Sequence, residues 1–262
     1  MGSSSKPDTS VIAGRHPVRE ALVRNSSRVD KVLVQKDSRG SHISDIRRLA
    51  SKAGVEVQYV PERRLSQIAG GLNHQGVVAI ATPIGYVDLH EMLESIAPSR
   101  ADVTDGKPRI LILDGIQDPF NFGGILRSAV ASGTNGIIVP ERDMAPLNAA
   151  ALKASAGTAS RVPIARVTNV ADVIYELKER GYWVVGASAD GETSVWEMDW
   201  NRAIALVIGS EGAGIRRRVK EACDYRIYIP MDGPAESLNA SVAAGILLFA
   251  AAKDSKARER PG

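Results

Sequence analysis

The chain has 262 residues, 44% hydrophobic and 24% charged, which suits a globular protein of one large domain or two ordinary ones. A net charge of +3 and a pI near 9.0 fall short of the tails that coat nucleic acid without further structure, so charge alone leaves RNA binding open. The longest apolar stretch, 242–252, is too short to span a bilayer, and the first five residues lack the apolar segment of a secretory leader; the expectation is a cytoplasmic protein with no membrane partner.

Residues 1–10 are polar and serine-rich and predict a disordered N-terminus. From there the pattern predicts a helix over 17–24, a strand over 31–35, a helix over 41–52, a strand over 55–60, a short helix over 62–68 and an apolar run over 76–80. Together they make a small α/β domain within 11–95. The stretch 96–108 is polar, contains Pro98, Gly106 and Pro108, shows no apolar period, and predicts a linker. In the second domain, 109–254, strands are predicted at 110–113, 136–139, 162–164, 183–186, 203–208 and 226–229, and helices at 121–132, 148–155, 170–180 and 239–253. A polar tail, 255–262, follows. Strands alternating with helices imply right-handed crossovers and a mainly parallel sheet with helices on both faces.

Three polar, glycine-containing clusters follow predicted strands. They are Asp118-Pro119-Phe120-Asn121-Phe122-Gly123-Gly124-Ile125-Leu126-Arg127, Gly209-Ser210-Glu211-Gly212-Ala213-Gly214, and the segment from Ile229 through Met231, Asp232, Glu236, Ser237 and Leu238 to Asn239. The carboxyl end of a strand is where open α/β sheets place their ligands. Several chemistries are excluded. Neither a P-loop nor a dinucleotide-binding glycine fingerprint is present. His16, His42, His74 and His90 are scattered through the first domain and the second has none, which removes a serine–histidine triad there and a clustered zinc site. The single Cys223 excludes internal disulfides, and its simpler reading is a small buried hydrophobe. No metal is expected.

Glycine loops at strand ends serve tight turns or let backbone approach a flat ligand such as an adenine-bearing cofactor. Ile229, Met231 and Leu238 suit either a sandwich around such a base or a core. Arg127, among Ile125, Leu126, Ala129 and Val130, either snorkels to water or meets an anion, and the anion is preferred. Glu211 between glycines suits a plain exposed loop as well as a site, and Asn239 would cap the following helix in any case. The pairs Arg15 and Arg19, Arg47 and Arg48, Arg63 and Arg64, and the run Arg216-Arg217-Arg218 are solvated helix faces unless the fold gathers them.

On these three clusters the chain resembles the SpoU/TrmH branch of the SPOUT methyltransferases. Gly14-Arg15-His16-Pro17-Val18 and Gly70-Gly71-Leu72-Asn73-His74-Gln75-Gly76-Val77 are similar to the N-terminal domain of the bacterial RlmB-type subgroup, which methylates a guanosine of 23S ribosomal RNA. The resemblance implies a ribosomal-protein-like RNA-binding domain followed by a parallel-sheet domain with a C-terminal trefoil knot, acting as a homodimer through that second domain. It implies methyl transfer from S-adenosylmethionine to a ribose 2′-oxygen of RNA, with a transfer RNA methyltransferase or a non-catalytic ribosome-binding module as the alternatives. By the same resemblance Gly209, Ile229, Met231 and Leu238 contact the cofactor, and Asn121, Arg127, Glu211, Ser237 and Asn239 form the catalytic surface. The family casts Arg127 as the base; because a guanidinium remains protonated in proteins, a cation that holds phosphate and stabilises the forming alkoxide is the better physical reading. Asp232 and Glu236 would repel phosphate near the third cluster.

Overall fold

The computed structural model describes residues 10–36, 38, 40–82, 84–234 and 237–256. Of the expected disordered N-terminus only Ser10 falls among them, and it begins the first strand; 257–262 of the expected tail and Glu236 lie outside the described residues. The chain divides into two compact units: Met1–Tyr86 with Pro146–Ala150, and Val87–Ala145 with Ala151–Gly262.

The first unit runs β1 (Ser10–Ala13), α1 (Arg15–Arg24), β2 (Val29–Gln35), α2 (Ser41–Lys52), β3 (Glu56–Val60), α3 (Glu62–Ala69) and β4 (Val77–Ala81). Its sheet has the order β1-β4-β2-β3, with β2 and β3 parallel and β4 antiparallel to both of its neighbours. Successive strand side chains point to opposite faces, and the two cores follow from that alternation. Val32, Val34, Val77 and Ala79 join Val18, Leu22, Ile43 and Ile46 of α1 and α2 on one face. Leu33, Val78 and Ile80 turn to the other face, where Leu65 and Ala69 of α3 cover them.

The second unit contains α4 (Leu89–Ile96), α5 (Arg100–Gly106), β5 (Arg109–Asp114), α6 (Pro119–Ser132), β6 (Gly136–Pro140), α7 (Ala149–Ala154) from Ala151 onward, β7 (Ile164–Val167), α8 (Val170–Arg180), β8 (Trp183–Ala187), β9 (Thr193–Ser194), β10 (Ile204–Gly209), α9 (Arg217–Ala222), β11 (Tyr225–Tyr228) and α10 (Ala240–Lys256). Seven strands in the order β7-β6-β5-β10-β8-β11-β9 make a wholly parallel sheet. Ile110, Ile112, Val184, Ala205 and Val207 face a core closed by Met92 and Leu93 of α4, Ile174 and Leu177 of α8, and Val219 of α9. Elsewhere in the unit α6 packs against α10. The approach is close because Gly124 of α6 lies opposite Ser241, where an added Cβ would stand 3.1 Å from the serine Cβ.

The stretch 96–108 is not a linker. Ser99 and Asp102 form a capping box that starts α5, and Val103 is buried in the same core as α4. Its polar sequence hides this because one short helix with a single anchoring valine shows no apolar period. The division between units accordingly falls at 86/87, ahead of α4, an element that the sequence reading leaves out.

Candidate active site

Parallel strands put all their carboxyl ends on one edge of the sheet. From β5 the chain continues to β6 on one side, while β10 lies on the other; the gap between β5 and β10 is thus a switch point, where such sheets open a crevice. The first two clusters follow these two strands and the third follows β11.

The first cluster builds a helix start. Asp118 accepts a hydrogen bond from Phe120 N at 3.1 Å and Pro119 occupies the first turn, the two residue types that favour an N-terminus. Asn121 therefore sits in the first turn of α6. Its Nδ2 donates to Glu211 Oε1 at 2.5 Å, across from the loop after β10. Asn239 Nδ2 donates to Asn121 Oδ1 at 2.9 Å. Asn239 Oδ1 in turn accepts from Ser241 N at 2.9 Å, Ser241 Oγ at 2.6 Å and Val242 N at 3.4 Å. Asn239 serves two neighbours at once: its oxygen caps α10 and its nitrogen reaches Asn121. The direction of the chain is internally consistent, since backbone N–H groups orient Asn239, Asn239 orients Asn121, and the carboxylate at the far end accepts.

The loop carrying Glu211 is rigid for identifiable reasons. Ser210 N donates to Gly214 O at 3.1 Å and Gly214 N donates back to Ser210 O at 3.0 Å. A Cβ on Gly209 would lie 2.1 Å from Gly214 C and 2.2 Å from Ile215 N, so this position tolerates only glycine whether or not a ligand approaches. Gly214 holds φ +66, a left-handed conformation. Below the loop Asp114 ends β5 with a wholly buried side chain that accepts from Arg216 N at 2.8 Å, Nε at 2.7 Å and Nη2 at 2.5 Å. The buried carboxylate is thereby paired and hydrogen-bonded, as burial requires. The sequence reading misses this pair: a carboxylate ending a predicted strand and a basic run about a hundred residues later carry no shared local signal.

A cleft of about 170 Å³ opens beside the loop. Gly209, Glu211, Ile229, Met231, Ser237 and Leu238 line it, which gathers six of the nine expected site residues. Ala187, Ser188 and Ala189 at the end of β8 also line it; the only signal for them is the Ala189-Asp190-Gly191 turn after a predicted strand. Ile229 and Leu238 are half-buried and Met231 is 39% exposed, so the three form walls of a cleft and not a closed core. Asn121 and Asn239 reach this group through Glu211. Arg127 stands apart: it is exposed on α6, two turns beyond Asn121, and forms no ion pair among the described residues. Asp232 is exposed as well.

The basic run after this loop separates into different roles. Arg216 is committed to Asp114, Arg217 pairs with Glu221 on an exposed helical face, and Arg218 is exposed. Cys223 is half-buried, its thiol donates to Val219 O at 3.3 Å, and burial, with the neighbouring Asp224, pushes its pKa up to about 12. That environment is one of an inert thiol.

Comparison with known proteins converges on one group. Residues 108–249 match the model of the SpoU rRNA methylase family, and residues 11–87 match the model described as RNA 2′-O ribose methyltransferase substrate binding. A Staphylococcus haemolyticus protein named as a TrmH family tRNA/rRNA methyltransferase is 44% identical over 239 residues, covering 91% of this chain and 93% of its own. The structure of an AdoMet-bound rRNA methyltransferase from Sinorhizobium meliloti is 26% identical with a TM-score of 0.57, covering 93% of this chain and 87% of that one. A TrmH/SpoU tRNA modifying enzyme of A. aeolicus is 28% identical with a TM-score of 0.53, covering 64% of this chain and 82% of that one. With its second unit matched from β5 into α10, the chain belongs to the SpoU/TrmH family of RNA methyltransferases.

Proposed function

We propose that the chain moves a methyl group from S-adenosylmethionine to a ribose 2′-oxygen of ribosomal RNA, at a guanosine of the 23S species, and that it works in the cytoplasm as a homodimer through its second unit. The observation that carries the reaction is the meeting of the cleft and the Glu211–Asn121–Asn239 chain at one carboxylate.

The residues present fit the cofactor. Ile229, Met231 and Leu238 offer apolar walls to a flat base, and Gly209 and Ser210 bring backbone to its edge. When bound, S-adenosylmethionine supplies a methyl group on a positively charged sulfur. Glu211, Asn121 and Asn239 hold the ribose beside it, so that orientation supplies much of the rate, and Ser237 lies exposed at the rim. Arg127 takes an RNA phosphate and stabilises the 2′-oxygen as its proton passes to the Glu211 carboxylate. Its exposure without an ion pair suits a residue whose partner arrives with the substrate.

Ribosomal RNA is favoured over transfer RNA by the extent of the likenesses: the rRNA methyltransferase aligns over 93% of this chain, the tRNA modifying enzyme over 64%. The homodimer is supported by apolar side chains left outside on the packed helix pair, Phe120 of α6 and Val242 and Phe249 of α10. The test is transfer of labelled methyl to total RNA lacking this enzyme's modification, with ribosomal and transfer RNA separated and the product mapped. Label at one guanosine of 23S RNA is the expected result. Label on transfer RNA keeps the chemistry and overturns the substrate, and no label on any RNA overturns the reaction.

A further inference from the structure

The first unit carries a polar cleft of about 510 Å³ that the reaction above does not use. Arg15, Gln35, Glu62, Asn73, His74 and Gln75 line it. They come from the start of α1, the end of β2, the start of α3 and the loop 70–76 that joins α3 to β4.

That loop is held in an unusual shape. Gly70, Gly71 and Gly76 have φ of 59, 93 and 81, and Gln75, which is not a glycine, has φ 47. Arg15 Nε donates to Gln75 O at 3.0 Å. Gly76 N donates to His74 Nδ1 at 3.1 Å, so the ring proton sits on Nε2 and is directed at Ser66 Oγ, 3.0 Å away. His74 is therefore spent on building the loop. What the loop presents outward is Leu72, Asn73 and Gln75, all exposed.

A left-handed backbone position is costly for glutamine and free for glycine, and the loop already uses glycine at three other such positions. The fold gives no reason for a side chain at 75; a ligand does. The lining also narrows the ligand's class. Among the described residues one arginine and one glutamate line the cleft and nearly cancel, and the arginine is engaged by the Gln75 carbonyl, so the lining is poorly made for a bare anion. Amides offer a donor and an acceptor in one plane, and with an apolar neighbour they match the edge and face of a nucleobase. Only an unpaired base exposes both.

We propose that this cleft holds one unpaired base of the RNA substrate, with the Asn73 and Gln75 amides on its edge and Leu72 against its face. The inference rests on the RNA-modifying reading and names, within the unit that matches the substrate-binding family model, the residues and the kind of nucleotide they select.

Gln75→Gly is the discriminating variant, because it relieves the backbone and should leave the unfolding temperature unchanged or raised. In the full-length protein, Gln75→Gly and Asn73→Ala should each weaken binding of ribosomal RNA, read by fluorescence anisotropy, by about 10-fold. The KM for RNA should rise in step, with kcat changed by less than about twofold and S-adenosylmethionine affinity unaltered. Unchanged RNA affinity in both variants overturns the cleft, as does an equal loss of affinity for a fully duplexed RNA. A wild-type protein that binds RNA but transfers no methyl refutes the reaction and leaves the anisotropy comparison to decide the cleft.

Discussion

In the second unit all seven strands run one way, whereas in the first unit β4 runs against its neighbours. The parallel sheet delivers four loop-bearing strand ends, those of β5, β8, β10 and β11, to one edge, and Asn121, Glu211 and Asn239 join there with none of the three at positive φ. The mixed sheet has no such edge. Its polar cleft depends on a short loop whose shape is set by positive φ at four positions and by a histidine bonded through both ring nitrogens. Topology places a cleft in the one case, and local conformation shapes it in the other. Substitutions should consequently act differently in the two units: on the chemistry or the packing in the second, and on ligand affinity in the first.

The largest effect is expected at the middle of the hydrogen-bonded chain. Asn121→Ala leaves Glu211 and Asn239 without their common partner and should lower kcat by about 10²–10³-fold, with an unfolding temperature near that of the wild type, since the group is largely exposed. A kcat within a few-fold of wild type, measured at saturating RNA, would remove the trio from the reaction. Gly123→Ala tests packing on the same helix. The new Cβ would lie 2.3 Å from Ala151 O and 2.5 Å from Ala154 Cβ, and calorimetry should show a loss of about 3 kcal/mol. Asp114→Asn removes the charge that Arg216 pairs with. Because Arg216 is 49% exposed and water can replace part of the interaction, the expected cost is smaller, about 2 kcal/mol.

Arg127→Lys separates recognition of a planar, forked anion partner from simple charge. Activity should fall while RNA binding persists, and full activity in that variant would exclude the role proposed for the guanidinium. The smallest effect concerns Cys223. With its pKa raised to about 12, the native thiol should stay unmodified by iodoacetamide at pH 8 and react once the protein is unfolded in urea. The sign for stability is equally definite. An unfolded thiol loses its proton near about pH 8.5, so the stabilising preference for the neutral thiol is intact below that pH and is lost as the pH climbs toward 12.

Legibility differed along the chain for physical reasons. Helix 41–52 and helix 170–180 coincide with α2 and α8, because long amphipathic faces declare themselves by period. β1, α4, α5, β9 and α9 went unread: each is short, and short elements take their stability from what they dock against. At the site, the motifs name Asn121, Glu211, Ser237 and Asn239, yet only the tertiary structure joins three of them into one chain. The expectation that Gly209 serves a cofactor gains a prior cause, the backbone of Gly214 and Ile215 pressed against it. The run Arg216-Arg217-Arg218, legible as one basic patch, is divided by a buried aspartate a hundred residues earlier.

By itself the sequence determined the alternation of strand and helix, the two-part organisation and the three clusters, since periodicity and turn chemistry act between residues a few positions apart. Which strand lies beside which, which arginine is spent on Asp114, and that Gln75 takes a left-handed backbone were decided by tertiary structure. Those outcomes depend on atoms brought within hydrogen-bond or contact distance by chain crossings of tens to a hundred residues, and no local pattern encodes them.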